Sequence, residues 1–134
     1  MSQANITFVQ AMYAAYSRGD VETILQGCTP DIDWRSGGGK EDFPGFGPRN
    51  GAAGVRDFFR SVAEQLEFSE FLPQEFYADR DAVFVPGHYA GKMRTTGNRF
   101  GSEWCHVFTF RGGKAEKFRE FTDTANIRAA YHGA

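Results

Sequence analysis

The chain has 134 residues, 41% of them hydrophobic, and this size suits one compact domain over residues 1–134. Its 15 basic and 17 acidic side chains give a net charge of −2, and without a basic cluster we expect no nucleic-acid partner. No apolar run is long enough to span a membrane, and residues 1–5 lack the pattern of a signal peptide. Two cysteines far apart in sequence, Cys28 and Cys105, favour a reduced, cytoplasmic chain.

Two helices and a short strand are predicted first along the chain. Apolar residues three or four positions apart predict a helix over residues 4–17, which Gly19 ends. Asp20 is placed to cap a second helix, and Pro30 closes it because the residue before a proline avoids helical backbone. Residues 31–35 then alternate polar and apolar side chains, which is typical of a half-buried strand.

Glycines and prolines crowd the next segment, residues 36–50, and predict a loop. This loop is either a mobile lid that carries Phe43 and Phe46 over a pocket or a disordered connection. Asn50 is placed to cap a third helix. The apolar stripe of that helix is the clearest in the chain and consists of Val55, Phe58, Phe59, Val62 and Leu66.

After the third helix the hydrophobic period changes from about four residues to two. This alternation predicts strands near 67–78, 82–93, 100–111 and 114–122, separated by segments rich in Asp, Asn and Gly. A last helical turn is predicted from Asp123 onward. The element order is typical of an α+β fold, in which helices lie on one face of an antiparallel sheet.

The composition indicates what such a sheet encloses. Gly87 and Gly91 within a predicted strand favour bends, and 14 phenylalanines indicate a large aromatic interior. A curled sheet with helices across its open side encloses a volume that is either a solid core or a pocket.

Three segments resemble a known superfamily, namely residues 13–20, 104–114 and 118–124. They are similar to the nuclear transport factor 2-like superfamily, and within it to the SnoaL-like polyketide cyclase and ketosteroid isomerase-related branch. The resemblance covers nearly the whole chain and implies a cone-shaped, curved antiparallel sheet with three N-terminal helices across its concave face. It also implies a homodimer formed through the outer sheet face. Because this fold hosts many activities, function must be argued from the site.

The register of the last two strands decides which of their residues share the inner face. A strict two-residue loop at Gly112-Gly113 would pair His106 with Arg119, whereas a three-residue loop with a bulge would pair His106 with Glu120. The residues alone permit both pairings. The resemblance favours the second, since the superfamily's matching positions on these strands both face the pocket.

Glu120 is the first candidate catalytic residue. By resemblance it matches the catalytic aspartate of SnoaL-like cyclases and one aspartate of limonene epoxide hydrolases, although this chain carries the longer glutamate. A carboxylate enclosed by aromatic side chains is suited to general acid–base catalysis near neutral pH. The alternative is a surface glutamate paired with a neighbouring arginine.

His106 is the second candidate catalytic residue. By resemblance it corresponds to the buried acid that donates a hydrogen bond to the substrate oxygen in ketosteroid isomerases, and imidazole can donate the same bond. The alternative is a core histidine between two aromatic residues. His88 lies on the outer face by strict alternation, but Pro86 and Gly87 beside it could form a bulge that turns it into the pocket.

Aromatic side chains are the candidates for lining a pocket, and as a set they favour an apolar, fairly large ligand. For each of them the alternative is ordinary core packing. The candidate substrate-binding residues are Tyr13, Tyr16, Trp34, Phe58, Phe59, His88, Tyr89, Trp104, Phe108 and Phe118.

Several chemistries are disfavoured by missing motifs. Residues 37–40 lack the spacing of a phosphate-binding loop, and three histidines without ligand spacing predict neither a metal nor a cofactor. The base and tyrosine positions of ketosteroid isomerases fall on Ser36 and Met12. The arginine and partner aspartate of epoxide hydrolases fall on Gly87 and Tyr89, so neither chemistry fits.

Two functions remain open. The first is a cofactor-independent acid–base enzyme, such as a cyclase, isomerase or dehydratase, acting on a small apolar carbonyl or polyketide-like compound. In that scheme Glu120 moves the proton and His106 stabilises the developing enolate. The second is a non-catalytic module of the same fold that binds a small ligand or dimerises, and an interior filled by phenylalanine side chains would favour it.

Overall fold

A computed structural model describes residues 2–133, so Met1 and Ala134, which belong to the predicted domain, lie outside the described residues. The helices are α1 (Ser2–Ser17), α2 (Val21–Gln26), α3 (Gly51–Gln65) and α4 (Thr124–His132). The strands are β1 (Cys28–Ser36), β2 (Gly47–Asn50), β3 (Leu66–Pro73), β4 (Tyr77–Asp79), β5 (Ala82–Met93), β6 (Arg99–Arg111) and β7 (Lys114–Thr122). The α+β class is therefore as predicted.

The strands form one curved, mixed sheet in the order β2-β1-β7-β6-β5-β3, with β4 paired to β5. Neighbouring strands are antiparallel except for β1 and β7, which run parallel. The prediction of an antiparallel sheet is wrong at this one pair. Parallel neighbours need a crossover connection, and here everything from β2 to β6 lies between the two strands in sequence.

The second helix is shorter than predicted. It ends at Gln26, and β1 already begins at Cys28, so Pro30 lies within a strand rather than at a helix end. The reason is a sheet contact, because the Gly27 carbonyl accepts a hydrogen bond of 2.9 Å from the Ala115 N–H in β7. Asp20 caps this helix as predicted, with its carboxylate accepting from the Thr23 N–H.

Two further segments differ from their prediction. The strand predicted over residues 67–78 is divided into β3 and β4, because the N–H groups of Gln74 and Glu75 both turn to the Pro86 carbonyl. The segment predicted as a loop over residues 36–50 ends in β2, which pairs with β1. Neither change alters the face of the sheet to which the side chains of the neighbouring strands point.

The inner face of the sheet and the helices above it enclose an aromatic core. Strand β6 alternates strictly, and every second residue from Phe100 to Phe110 is buried, including His106. Helices α1 and α3 contribute Val9, Met12, Val55 and Phe58, all buried. Among the helices of residues 2–133, none combines the length and the hydropathy that a membrane crossing requires.

The hairpin between β6 and β7 combines features of both predicted alternatives. Its turn has two residues, since Arg111 pairs with Lys114, and Gly112 and Gly113 supply the positive φ angles (59° and 80°) that such a tight turn needs. A β-bulge at Glu116 then shifts the register by one residue.

The bulge determines the facing of β7. Ala115 and Phe118 are both buried although an odd number of positions separates them, which is possible only with the extra residue between them. Beyond the bulge, His106 pairs with Glu120, as the superfamily resemblance implied.

Candidate active site

Four polar side chains meet on the inner face in one hydrogen-bonded chain. The Tyr13 hydroxyl lies 2.7 Å from Nδ1 of His106, and Nε2 of His106 lies 2.9 Å from Oε2 of Glu120. The Ser36 hydroxyl donates to Oε1 of Glu120 at 2.5 Å. Each carboxylate oxygen and each ring nitrogen therefore has a partner within the protein.

The sheet register produces this arrangement. Glu120 is directly opposite His106 across the antiparallel β6–β7 pair and beside Ser36 across the parallel β1–β7 pair. Tyr13 reaches the same point from α1. The side chains of His106 and Glu120 are only 7% and 9% exposed. A buried carboxylate requires such donors, because without them its desolvation would not be compensated.

The hydrogen bonds restrict where protons can lie. With an ionised Glu120, Nε2 of His106 carries a proton and donates it to the carboxylate. In a neutral ring Nδ1 then accepts from the Tyr13 hydroxyl, so a continuous chain of donors runs from Tyr13 to Glu120. Both ring nitrogens are thus engaged within the protein, and neither is free to donate to a substrate oxygen as the sequence led us to expect.

Three tyrosines surround this carboxylate and remain protonated. Burial, and next the negative charge of Glu120, raise the pKa of Tyr13 far above its usual value. The same two causes raise the pKa of Tyr16 to about 12 and raise that of Tyr89 further still. The Tyr89 hydroxyl is also 2.6 Å from Oγ1 of Thr122. All three therefore act near neutral pH as uncharged hydroxyl groups.

A cavity of about 80 Å³ opens beside the cluster, with Tyr13, Ser36, His106 and Glu120 in its wall. At about 10–15 Å³ for each water site, it has room for roughly five to eight waters. The rest of its lining is aliphatic or aromatic except for hydroxyl groups of tyrosine. Within residues 2–133, no lysine or arginine lines this cavity.

Most of the predicted substrate-binding residues lie in the cavity wall. They are Tyr13, Tyr16, Trp34, Phe58, Phe59, Tyr89, Phe108 and Phe118. The wall also contains both candidate catalytic residues, His106 and Glu120.

Two predicted substrate-binding residues lie elsewhere. Trp104 is behind the site, stacked on the far side of the His106 ring with centroids 3.9 Å apart. His88 faces outward, because β5 and β6 pair without a bulge at this point and strict alternation holds. Its Nδ1 lies 2.9 Å from Oε1 of the surface residue Glu70.

Sequence reasoning missed the polar role of Ser36 and the contribution of β3 to the wall. Ser36 occupies the position of the ketosteroid isomerase base, and it follows Ile32 and Trp34 at the inward positions of an alternating strand. A hydroxyl at such a position is the signal that could have identified it. Phe68 and Phe71 of β3 also line the cavity.

The loop between β1 and β2 covers one side of the cavity. Phe43 and Phe46 are buried in the wall, and Phe43 packs edge-on against Tyr131 of α4. The buried guanidinium of Arg49 donates to three loop carbonyls, those of residues 44, 45 and 46, and its Nε donates to Asp57. The loop thus packs over the cavity as the lid alternative predicted, and the mobility of this lid stays a prediction.

The site contains no arrangement suited to a metal. Within the part of the chain that the structure describes, no three His, Cys, Asp or Glu side chains come together as metal ligands would. The polar groups in the cavity wall are one carboxylate, one imidazole and neighbouring hydroxyl groups.

A curved mixed sheet with helices packed over it is the architecture of NTF2-like proteins, and the chain has this fold. More narrowly, the chain belongs to the SnoaL-like domain family, whose sequence profile matches residues 9–118. A search of curated protein sequences finds no significant match.

Several solved structures are similar over nearly the whole chain. An NTF2-like protein from Burkholderia xenovorans LB400 shares 30% identity and a TM-score of 0.89, with 98% of each chain covered. An NTF2-like protein from Burkholderia pseudomallei K96243 shares 26% identity and a TM-score of 0.87 over the same fractions. TerC, co-crystallised with polyporic acid, shares 28% identity and a TM-score of 0.84, with 96% of this chain and 98% of TerC covered.

Proposed function

We propose that this protein is a cofactor-independent acid–base enzyme of the cyclase, isomerase or dehydratase type. Its substrate is a small apolar carbonyl or polyketide-like compound. The observation that carries the proposal is the hydrogen-bonded pair of Glu120 and His106, buried in the wall of an aromatic cavity. Burying a carboxylate costs free energy that hydrogen bonds must compensate. Buried titratable groups beside a cavity are therefore typical of functional sites.

In the proposed reaction Glu120 is the base. One of its oxygens takes a proton from the carbon next to the substrate carbonyl, and the electron pair of that C–H bond moves onto the carbonyl oxygen as an enolate. The carboxylic acid then returns the proton to another atom of the same substrate, so no other reactant is consumed. Hydrogen bonds from Ser36 and His106 hold the carboxylate in position.

His106 acts through Glu120 in this scheme and is a positioning residue. Its ring connects the carboxylate to the Tyr13 hydroxyl, so charge that changes on Glu120 is shared along the chain of hydrogen bonds. The co-crystal of the relative TerC with polyporic acid supports a small organic molecule as the occupant of the cavity.

A non-catalytic ligand-binding module is the second candidate function. The observation in its favour is that the two oxygens of Glu120 and both ring nitrogens of His106 already have partners in the protein. Such a closed network can serve structure alone. The two candidates differ in whether a bound ketone exchanges protons.

Proton exchange into 2-tetralone in D₂O, followed by NMR, tests the proposal directly. We expect the protein to accelerate deuterium uptake next to the carbonyl, and we expect Glu120→Gln to lower that rate by roughly 10²–10⁴. Glu70→Gln is the matched control, because Glu70 also contacts a histidine at 2.9 Å but lies on the surface. An exchange rate equal to that in buffer would favour the binding module, and an unchanged rate in Glu120→Gln would remove Glu120 from the mechanism.

Assembly and location complete the proposal. A homodimer through the outer face of the sheet is supported by exposed apolar side chains there, among them Phe84 at 38% and Phe121 at 60%. Sedimentation showing only a monomer would contradict it. The two cysteines are both free thiols, which supports the proposed cytoplasmic location.

A further inference from the structure

The cavity wall is more accessible on one side than on the other. Its lining residues from β1, β6, α4 and the loop between β1 and β2 are all buried. Apart from Glu120, the half-buried lining residues come from α1, α3 and β3 and are Tyr13, Tyr16, Phe59, Val62, Phe68 and Phe71. The backbones of α1 and α3 hardly approach each other, so side chains fill the gap between them. The entrance to the cavity therefore lies between α1, α3 and β3.

Tyr16 lies at this entrance and contacts both of the other elements that form it. Its ring packs against Phe59 of α3 with centroids 5.6 Å apart and against Phe71 of β3 with centroids 5.2 Å apart. Tyr13 precedes it by three residues on α1, so the two side chains are neighbours on one face of the helix. The Tyr13 hydroxyl belongs to the hydrogen-bonded cluster, and the Tyr16 side chain lies nearly one helical turn further along, between α3 and β3.

Within residues 2–133, four side chains with a hydroxyl group line the cavity, and three of these groups already donate to the protein. Those of Tyr13 and Ser36 donate within the cluster. The Tyr89 hydroxyl lies 2.6 Å from Oγ1 of Thr122, which itself donates to Oγ of Ser102, whose own proton goes to a main-chain carbonyl. Because each hydroxyl has one proton, Tyr89 is the donor to Thr122.

The fourth hydroxyl, that of Tyr16, has an uncommitted proton. It has no hydrogen-bond partner among residues 2–133, and it is not one of the fully buried polar atoms that lack a partner, so its oxygen is accessible. Burial and the negative charge of Glu120 raise the pKa of Tyr16 to about 12, so this hydroxyl keeps its proton near neutral pH. A free donor at the entrance of an apolar cavity is suited to bind a polar atom of a ligand.

We propose that the Tyr16 hydroxyl binds a second oxygen of the ligand, at the end that faces the entrance. The ligand is then an uncharged ring compound with oxygens at opposite ends, such as a hydroxylated cyclic ketone. An anion is disfavoured because no lysine or arginine of residues 2–133 lines the cavity to balance Glu120. This inference rests on the proposed function, because Glu120 acts beside the carbonyl at the inner end and leaves the other end next to Tyr16.

Two ketones of matched shape test the inference in the wild-type protein. Both 6-hydroxy-2-tetralone and 6-methyl-2-tetralone carry a small group at the end of the rings opposite to the carbonyl, and only the first has an oxygen there. We expect the wild type to bind the hydroxy compound at least as tightly as the methyl compound, because a hydroxyl without a partner would lose affinity. Isothermal titration calorimetry measures both affinities.

Tyr16→Phe isolates the contribution of the donor. We expect roughly fivefold weaker binding of 6-hydroxy-2-tetralone and unchanged binding of 6-methyl-2-tetralone, since one hydrogen bond is lost and the ring is kept. Tyr131→Phe is the matched control, because the Tyr131 hydroxyl also has no partner among residues 2–133 but its side chain does not line the cavity. It should leave both affinities as in the wild type.

Three results would overturn the inference. They are an unchanged ratio of the two affinities in Tyr16→Phe, roughly tenfold or tighter preference of the wild type for the methyl compound, and no binding of the hydroxy compound. The wild-type measurement stands even if Tyr16→Phe unfolds. If Tyr16→Phe selectively weakens the hydroxy compound but 2-tetralone exchanges no protons, the proposed function fails and the binding role of Tyr16 stands. If exchange occurs and the ratio is unchanged, this inference alone fails.

Discussion

Two histidine–glutamate pairs lie in this sheet at the same separation but on opposite faces. His106 and Glu120 are 2.9 Å apart with side chains 7% and 9% exposed, and His88 and Glu70 are 2.9 Å apart at 33% and 45%. The exposed pair is screened by water and is expected to contribute little to stability. The buried pair has further hydrogen bonds and a cavity beside it. The distance between histidine and glutamate is therefore the same in both pairs. What distinguishes the candidate site from the surface contact is the face of the sheet to which the side chains point.

The difference between the pairs arises from backbone register. Strand β5 runs beside β6 without interruption, so His88 keeps the outward direction that alternation assigns to it. Strand β7 contains the bulge at Glu116, and this one extra residue turns Glu120 inward. A change in β7 beside the bulge tests most directly whether register explains the difference between the two pairs.

The largest effect is expected from insertion of one alanine between Lys117 and Phe118. The added residue takes the inward position that follows the bulge, so strict alternation turns Phe118 and Glu120 to the outer face. We expect proton exchange to fall to the buffer rate, and we expect the free energy of unfolding to fall by about 3 kcal/mol or more, because a buried phenylalanine is lost from the core. Exchange and urea unfolding measure the two effects.

Glu116→Ala is the matched control for this insertion. It keeps the bulge and removes only a side chain whose carboxylate contacts Arg111 at the surface, 3.3 Å away. It should retain nearly wild-type exchange and stability. An insertion variant with wild-type activity would show that the inward facing of Glu120 does not depend on alternation along β7.

A smaller effect is expected from replacing each histidine by glutamine. His106→Gln leaves the buried carboxylate with an imperfect partner, so we expect about 2 kcal/mol of destabilisation and roughly a hundredfold loss of exchange. His88→Gln should change unfolding by less than about 0.5 kcal/mol and leave exchange unchanged. Equal effects of the two variants on exchange would contradict the distinction between the two faces.

Tyr13→Phe should have a milder effect on the same site. It removes the hydroxyl that contacts Nδ1 of His106 and keeps the ring that stacks beside it. We expect roughly tenfold slower exchange with little change in KM, since the loss acts through His106 and Glu120. Tyr77→Phe is the control, because the exposed Tyr77 also contacts a carboxylate, that of Glu75, but outside the cavity. Equal exchange rates for Tyr13→Phe and the wild type would show that the Tyr13 hydroxyl does not contribute to proton transfer by Glu120.

The sequence predicted most elements because periodicity and turn residues are local signals. The bounds of β5 and β7 agree with the predicted strands, and Asp123 caps α4 as its position suggested. Those signals fail where a distant partner decides the conformation. Gly27 leaves the helix because β7 is beside it, which no nearby residue indicates.

The site was only partly predictable for the same reason. Glu120 and His106 were identified by resemblance, yet local patterns left their pairing open because the bulge at Glu116 has no distinctive residue type. Ser36 joins the site through the parallel pairing of β1 with β7, and Tyr13 joins through the docking of α1. Both contacts connect residues more than 80 positions apart, and neither periodicity nor turn chemistry specifies such a contact.

The smallest effect concerns alkaline pH and compares tyrosines inside and outside the cavity. Burial raises the pKa of Tyr16 from its usual value to about 12. The folded state therefore keeps a proton that the unfolded state releases above pH 10, so the stability this group contributes is complete below pH 10 and is lost as the pH rises toward 12. At pH 11 the loss from Tyr16 alone is about 1 kcal/mol.

Urea unfolding between pH 8 and pH 11 measures this loss. Tyr13 and Tyr89, whose pKa values are also raised by burial, add to it with the same sign. Tyr16→Phe should reduce the fall in unfolding free energy between pH 9 and pH 11. Tyr77→Phe should reduce it less, because the pKa of Tyr77 is also raised, by its hydrogen bond to Glu75, but this group is exposed and its interaction is screened by water. The opposite result is that Tyr16→Phe and the wild type lose the same stability over this range. It would show that water reaches the Tyr16 hydroxyl and that the inner face of the sheet is less enclosed than the structure indicates.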